Sequence, residues 1–146
     1  MVKKTHISLI SLLFILFCSH AASAQNPERT KTFQISADSA YTKVVQTLHE
    51  SGYYIAQLDR PSGFIQTSIY LKNKSLFGRE GDKRILNFLI SPLPDGRAKI
   101  VLNIFLIERH RGGSNDSPNY YEEDKGIIQD DKIYQQMWDK ISPLLH

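Results

Sequence analysis

The residues whose types could do chemistry are few, and their spacing does not assemble a reaction. His49-Glu50 opens like a zinc-protease helix, in which two histidines one turn apart hold the metal and the glutamate acts as base. The position one turn on is Tyr53, so the second ligand is missing. His110 stands between Arg109 and Arg111, whose charges oppose a bound cation, and it reads as a loop histidine. Glu122-Glu123-Asp124 and Asp130-Asp131 concentrate carboxylates but lack the alternating oxygen ligands and central glycine of a calcium loop. They read as a solvated acidic stretch entering a helix N-terminus, where the dipole favours negative charge. There is no glycine-rich phosphate loop, and none of the serines and threonines in polar loops has a recognisable histidine and carboxylate nearby. These residues give no catalytic group, no metal ligand and no cofactor site, and the function expected from them is not enzymatic.

Charge is concentrated in one place. Lys72, Lys74, Arg79, Lys83 and Arg84 face only Glu80 and Asp82 between positions 72 and 84, with Leu76-Phe77-Gly78 in the middle. An apolar tip ringed by cations suits an acidic protein groove, an anionic membrane surface or a glycan. The alternative is a solvated hairpin loop whose Leu76 and Phe77 fold back on a sheet edge.

The start of the chain carries an address. Lys3 and Lys4 precede an apolar run from Ile7 to Phe17, and Ala22-Ser23-Ala24 offers small residues to a signal peptidase. The run is shorter than the roughly 20 residues of a bilayer span. Residues 1–24 are therefore expected to be a removed export signal, and the protein is expected to be periplasmic or secreted. The one cysteine, Cys18, follows the bulky Phe17, a poor context for lipidation, and is expected to leave with the signal. Without Lys3 and Lys4, sixteen basic residues face fifteen acidic ones, a net charge of +1. That balance does not indicate a nucleic-acid partner. About 120 residues suffice for a core without disulfides.

The remaining pattern is that of one α+β domain over 31–146, after a polar leader at 25–30. Lys31 to Ile35 is a short strand, and Ser36 or Asp38 offers a cap to a helix whose Ala40, Tyr41, Val44, Val45 and Leu48 share a face. Gly52 stops that helix. Tyr53 to Leu58 and Phe64 to Leu71 are strands joined by the turn Asp59-Arg60-Pro61-Ser62-Gly63, in which Pro61 fixes φ and Gly63 takes the left-handed conformation. Arg84 to Ser91 and Arg97 to Glu108 are strands joined by Pro92-Leu93-Pro94-Asp95-Gly96. Arg109 to Asp124 reads as a long exposed loop, and Asp130 to Leu145 as a helix with Ile133, Met137, Ile141 and Leu144 on one stripe, its last turn distorted by Pro143.

The expected order is β-α-β-β-β-β-α, an antiparallel sheet with both helices on one face. Leu86, Phe88 and Ile90, with Ile100, Leu102, Ile104 and Leu106, would face the helices. Phe64, Tyr70, Leu89, Val101, Phe105 and Ile107 would then lie on the open face as a candidate contact surface.

Ala40-Tyr41 opening a helix, Val44 and Leu48 continuing it, Gly52-Tyr53 ending it, then Asp59-Arg60-Pro61-Ser62-Gly63 and Ile65-Gln66-Thr67, form a longer pattern. It resembles the BamC-type (NlpB-like) domain of bacterial envelope proteins. The closing helix with Tyr134, Met137, Trp138 and Ile141 is also similar. The resemblance implies a helix-grip-like α+β fold and a scaffold or interaction role with no catalytic residues. The expected function is an envelope domain that binds a protein partner or self-associates. The alternative is a small-ligand or lipid-binding module, with a pocket between helices and sheet lined by residues such as Tyr41, Val45 and Phe88.

Mass spectrometry of the exported protein should find its N-terminus at Gln25. A lipid-modified N-terminus at Cys18 would overturn the reading of the signal.

Overall fold

A computed structural model describes residues 27–72, 79–114 and 117–146. The expected export signal with Cys18 and the Gln25 cleavage site, and the loop residues Lys74, Leu76 and Phe77, lie outside the described residues. A 3-10 turn at Pro27–Arg29 leads into β1 (Thr30–Phe33), α1 (Ala37–Glu50), β2 (Tyr54–Asp59), β3 (Phe64–Lys72), β4 (Arg79–Pro92), β5 (Ala98–Ser114), β6 (Ser117–Ile127) and α2 (Asp131–Ile141). The fold is α+β, with one six-stranded antiparallel sheet in the order β1-β5-β4-β3-β2 and β6 paired to β5. β1 covers the first part of one edge of β5, opposite residues 98–101, and β6 covers the rest, opposite 105–114.

Local chemistry sets the helix limits. Ser36 Oγ accepts the Ser39 amide at 3.3 Å and caps α1, whereas Gly52 beyond its end has φ +78°. Asp130 caps α2 by accepting the Lys132 amide at 3.0 Å. Pro143, which has no amide hydrogen to donate, converts the end of α2 into a 3-10 turn at Ser142–Leu144.

Both helices lie on one face of the sheet. Ala40, Tyr41, Val44 and Leu48 of α1, with Tyr134, Met137, Trp138 and Ile141 of α2, are buried together with Ile65, Leu86, Phe88, Ile90, Ile100, Leu102 and Ile104 of the strands. Trp138 is fully buried, and its Nε1 donates to the Glu28 carbonyl at 2.6 Å. The Arg29 guanidinium donates to the Ile128 carbonyl at 3.2 Å and to Gln129 Oε1 at 2.8 Å. The end of the polar leader is thereby tied to α2.

Arg109 to Asp124 is not a long loop: β5 continues to Ser114 and the chain returns as β6. Cross-strand pairs hold this extension where little core burial does. Arg109 lies 4.6 Å from the Tyr120 ring centroid, and Tyr121 stacks on His110 at 5.2 Å. Such contacts leave no apolar periodicity to read. β3 and β4 are also longer than expected, so Lys72, Lys83 and Arg84 sit on strands and not in a loop.

Gly63 has φ +71°, as the turn requires. Its carbonyl accepts the Ile90 amide at 2.9 Å, and a Cβ at this position would overlap the Ile90 carbonyl oxygen. Gly63→Val should therefore cost at least ~1–3 kcal/mol, read as a fall in thermal midpoint of roughly 5–15 °C. An unchanged midpoint would show that the turn does not enforce this geometry.

Candidate functional site

Strand register places the open-face side chains in rows. Phe64, Leu89 and Val101 are direct cross-strand neighbours. The next row is polar, with Gln66 Nε2 donating to Asn87 Oδ1 at 3.0 Å and Asn103 opposite Asn87. Then come Tyr54, Ser68, Ile85, Phe105 and Ile127, followed by Tyr70, Lys83, Ile107 and Asp124. Neighbours shield one another, so Phe64, Ile85, Val101, Phe105 and Ile107 are half-buried. Exposed large groups on this face include Tyr54 at 71%, Leu89 at 46%, Tyr120 at 46% and Tyr70 at 44%. Phe105 is not under a helix, and the face assignment made from alternation holds.

The basic residues do not form one patch. Alternation puts Lys72 and Lys83 on the open face, with Lys99 and Arg109 from β5. Arg84 faces the helices instead, opposite Ile69 and Leu106. Arg79 opens β4. Asp59 Oδ2 accepts the Ser62 hydroxyl at 2.7 Å inside the β2–β3 turn. Arg60 is not merely solvated. It pairs with Asp38 of α1 at 2.7 Å, reaches Thr42 Oγ1 at 3.2 Å, and lies 5.5 Å from the Tyr41 ring centroid. The turn is thus clamped to the first turns of α1.

On the helix side, Phe88 is fully buried and Tyr41 nearly so. Val45 packs against the same cluster. Phe88 and Val45 are packed into the core, and Tyr41 borders a shallow space of about 210 Å³ with Arg60, Pro61 and Ile90. A cavity of about 150 Å³ lies elsewhere, between α2 and the sheet where the chain leaves α1. Ile69, Leu86 and Ile104 wall it from the strands, and Ile133 and Met137 from α2. Sequence periodicity marks all five as inward-facing and carries no signal of a gap between them.

His110 occupies β5, not a loop, and alternation carries Arg109 and Arg111 to the opposite face. The charge argument made from neighbours in sequence does not apply there. Its Nε2 lies 3.2 Å from Glu108 Oε2 and 3.5 Å from Glu123 Oε2. Glu108 and Glu123 are direct cross-strand neighbours, an unfavourable pairing unless neutralised. Lys125, the extra residue of a β-bulge opposite Leu106 and Ile107, supplies the charge. Its Nζ donates to Glu123 Oε1 at 2.6 Å and stands 3.7 Å from Glu108 Oε2. The three potential ligand atoms lie within 4.8 Å of one another, but an ammonium already engages both carboxylates. Charge pairing is the chemistry this cluster performs.

The Lys125 hydrogen bond holds the Glu123 carboxyl below the usual range, with the charges of Lys125 and His110 assisting and desolvation opposing. The same bond raises the Lys125 ammonium. A depressed carboxylate contributes stability above its unfolded pKa and loses it as pH falls through the folded value. A raised ammonium contributes below its unfolded pKa and loses it as pH rises through the folded one. Lys125→Gln should move the Glu123 titration midpoint upward in a carboxyl NMR titration. An unmoved midpoint would show that the pair does not form in solution. No protein-family model and no curated protein matches this chain.

Proposed function

We propose that this chain is an exported, non-enzymatic envelope domain that docks an apolar segment of a partner protein on the helix-free face of its sheet, with acidic residues flanking that segment. The observation that carries the reading is the open face itself. Leu89 and Tyr70, each nearly half exposed, stand among half-buried Phe64, Ile85, Val101, Phe105 and Ile107. Scattered apolar residues need no explanation, whereas a contiguous set on one face marks a contact surface. Lys72, Lys83 and Lys99 around these groups supply the charge complementarity that selects an acidic flank. Their main effects are on encounter rate and orientation, and salt weakens them. The BamC-type pattern of α1 and the following turn implies the same kind of role.

A photoreactive residue at Leu89 should crosslink in the envelope to one protein whose contacting segment is apolar with acidic flanks. Phe105→Ser should abolish the crosslink while the thermal midpoint stays within a few degrees. Changing Lys72, Lys83 and Lys99 together should mainly flatten the salt dependence. Crosslinking only to a second copy would replace the partner by self-association. Unfolding of Phe105→Ser would make the face part of the core.

A further inference from the structure

The cavity between α2 and the sheet is chemically uneven. Its walls are aliphatic, yet Arg84 from β4 and Lys140 from α2 also line it, and no aspartate or glutamate does. Arg84 Nε is buried and has no hydrogen-bonding partner among the described residues. A buried guanidinium nitrogen without an acceptor is costly and rare, and Arg84 is also one of the residues that line this cavity. Tyr53 borders the same space, with Lys140 Nζ 5.0 Å from its ring centroid. Burial raises the Tyr53 phenol, the charge of Arg84 opposing, so its hydroxyl remains protonated at neutral pH and can donate. Two cations, one phenol and the Gln136 amide therefore border a space whose other walls are apolar.

We propose that this cavity binds a small amphipathic carboxylate, its hydrocarbon body between Ile133, Met137 and the sheet and its carboxylate on Arg84 and Lys140. The planar guanidinium suits a carboxylate in particular, since its paired N–H groups can meet two oxygens at once. The size of the space limits the body, because a cavity of ~150 Å³ holds a group about as large as benzene. A chain of about six carbons fits this limit and a long acyl chain does not. The site lies on the helix side of the sheet, opposite the proposed docking face, and does not depend on it.

Titration of the purified protein with hexanoate, followed by the Met137 methyl and Arg84 Nε NMR signals, tests the proposal. Hexanoate should give saturable shifts at both. The neutral hexanamide and the tail-less acetate should each bind about tenfold more weakly or worse. Arg84→Met should weaken hexanoate by about tenfold and leave hexanamide unchanged. Lys140→Gln, at an exposed position, should keep the fold and weaken hexanoate by about two- to fivefold, which preserves the test if Arg84→Met does not fold. Absence of saturable shifts would overturn the site. Equal binding of hexanamide would overturn the role of the cations, and equal binding of acetate would overturn the role of the cavity.

Discussion

The architecture depends on one crossing. β1 and β2 are consecutive strands at opposite edges of the sheet, so α1 must carry the chain over the whole width between them. A helix of 14 residues is roughly 21 Å long, and the four strand spacings it has to clear amount to about 19 Å. The Ser36 cap and the Gly52 stop set that length. The Asp38–Arg60 pair and the stack of Arg60 on Tyr41 then attach the β2–β3 turn to the beginning of the crossing. α2 lies on the same side, anchored by Trp138 and Tyr134 in the core.

The two faces of the sheet differ in consequence. The covered face buries Ile65, Leu86, Ile90, Ile100, Leu102 and Ile104, and its gap is where α1 has ended and α2 alone roofs the strands. There a strand position that would ordinarily hold an aliphatic residue carries Arg84. Among the described residues the opposite face has no second layer, and its apolar residues are shielded by one another and by the Gln66–Asn87 pair. One face is suited to hold something small in a confined space, the other to meet something broad.

Much of this was legible in the sequence where burial imposes a period. Alternation in β3, β4 and β5 separated the faces correctly, down to Phe105 and Leu89. The one-sided stripe of α2 holds for Met137 and Ile141 but not for Leu144, which is exposed beyond Pro143 while Leu145 is buried. The Pro61–Gly63 turn has the expected positive φ at Gly63. β6 was illegible for a physical reason. Arg109 to Asp124 contains Gly112-Gly113 and a run of small polar residues, and Tyr120 and Tyr121 contact single partners across the strand pair without entering a core. His110 was misjudged along with it, because neighbours in sequence on a strand are not neighbours in space. Arg84 belonged to a basic run by composition, and only strand register turns it inward. A cavity depends on how side chains fail to meet, which no periodicity encodes.

The placement of β1 also orders the events of folding. β3, β4, β5 and β6 form successive hairpins whose contacts are close along the chain and can form early. β1 emerges first during synthesis, but its partner residues lie at positions 98–101, and the carbonyl of Glu28 waits for the indole of Trp138, 110 residues away. Until α2 has been made, β1 holds that edge of β5 without the Trp138 bond, and an edge freed of β1 can pair with another chain. The last helix therefore acts as the latch on the first strand. Loss of the C-terminal residues would release both ends of the domain together, leaving the central hairpins as a folded but sticky remnant.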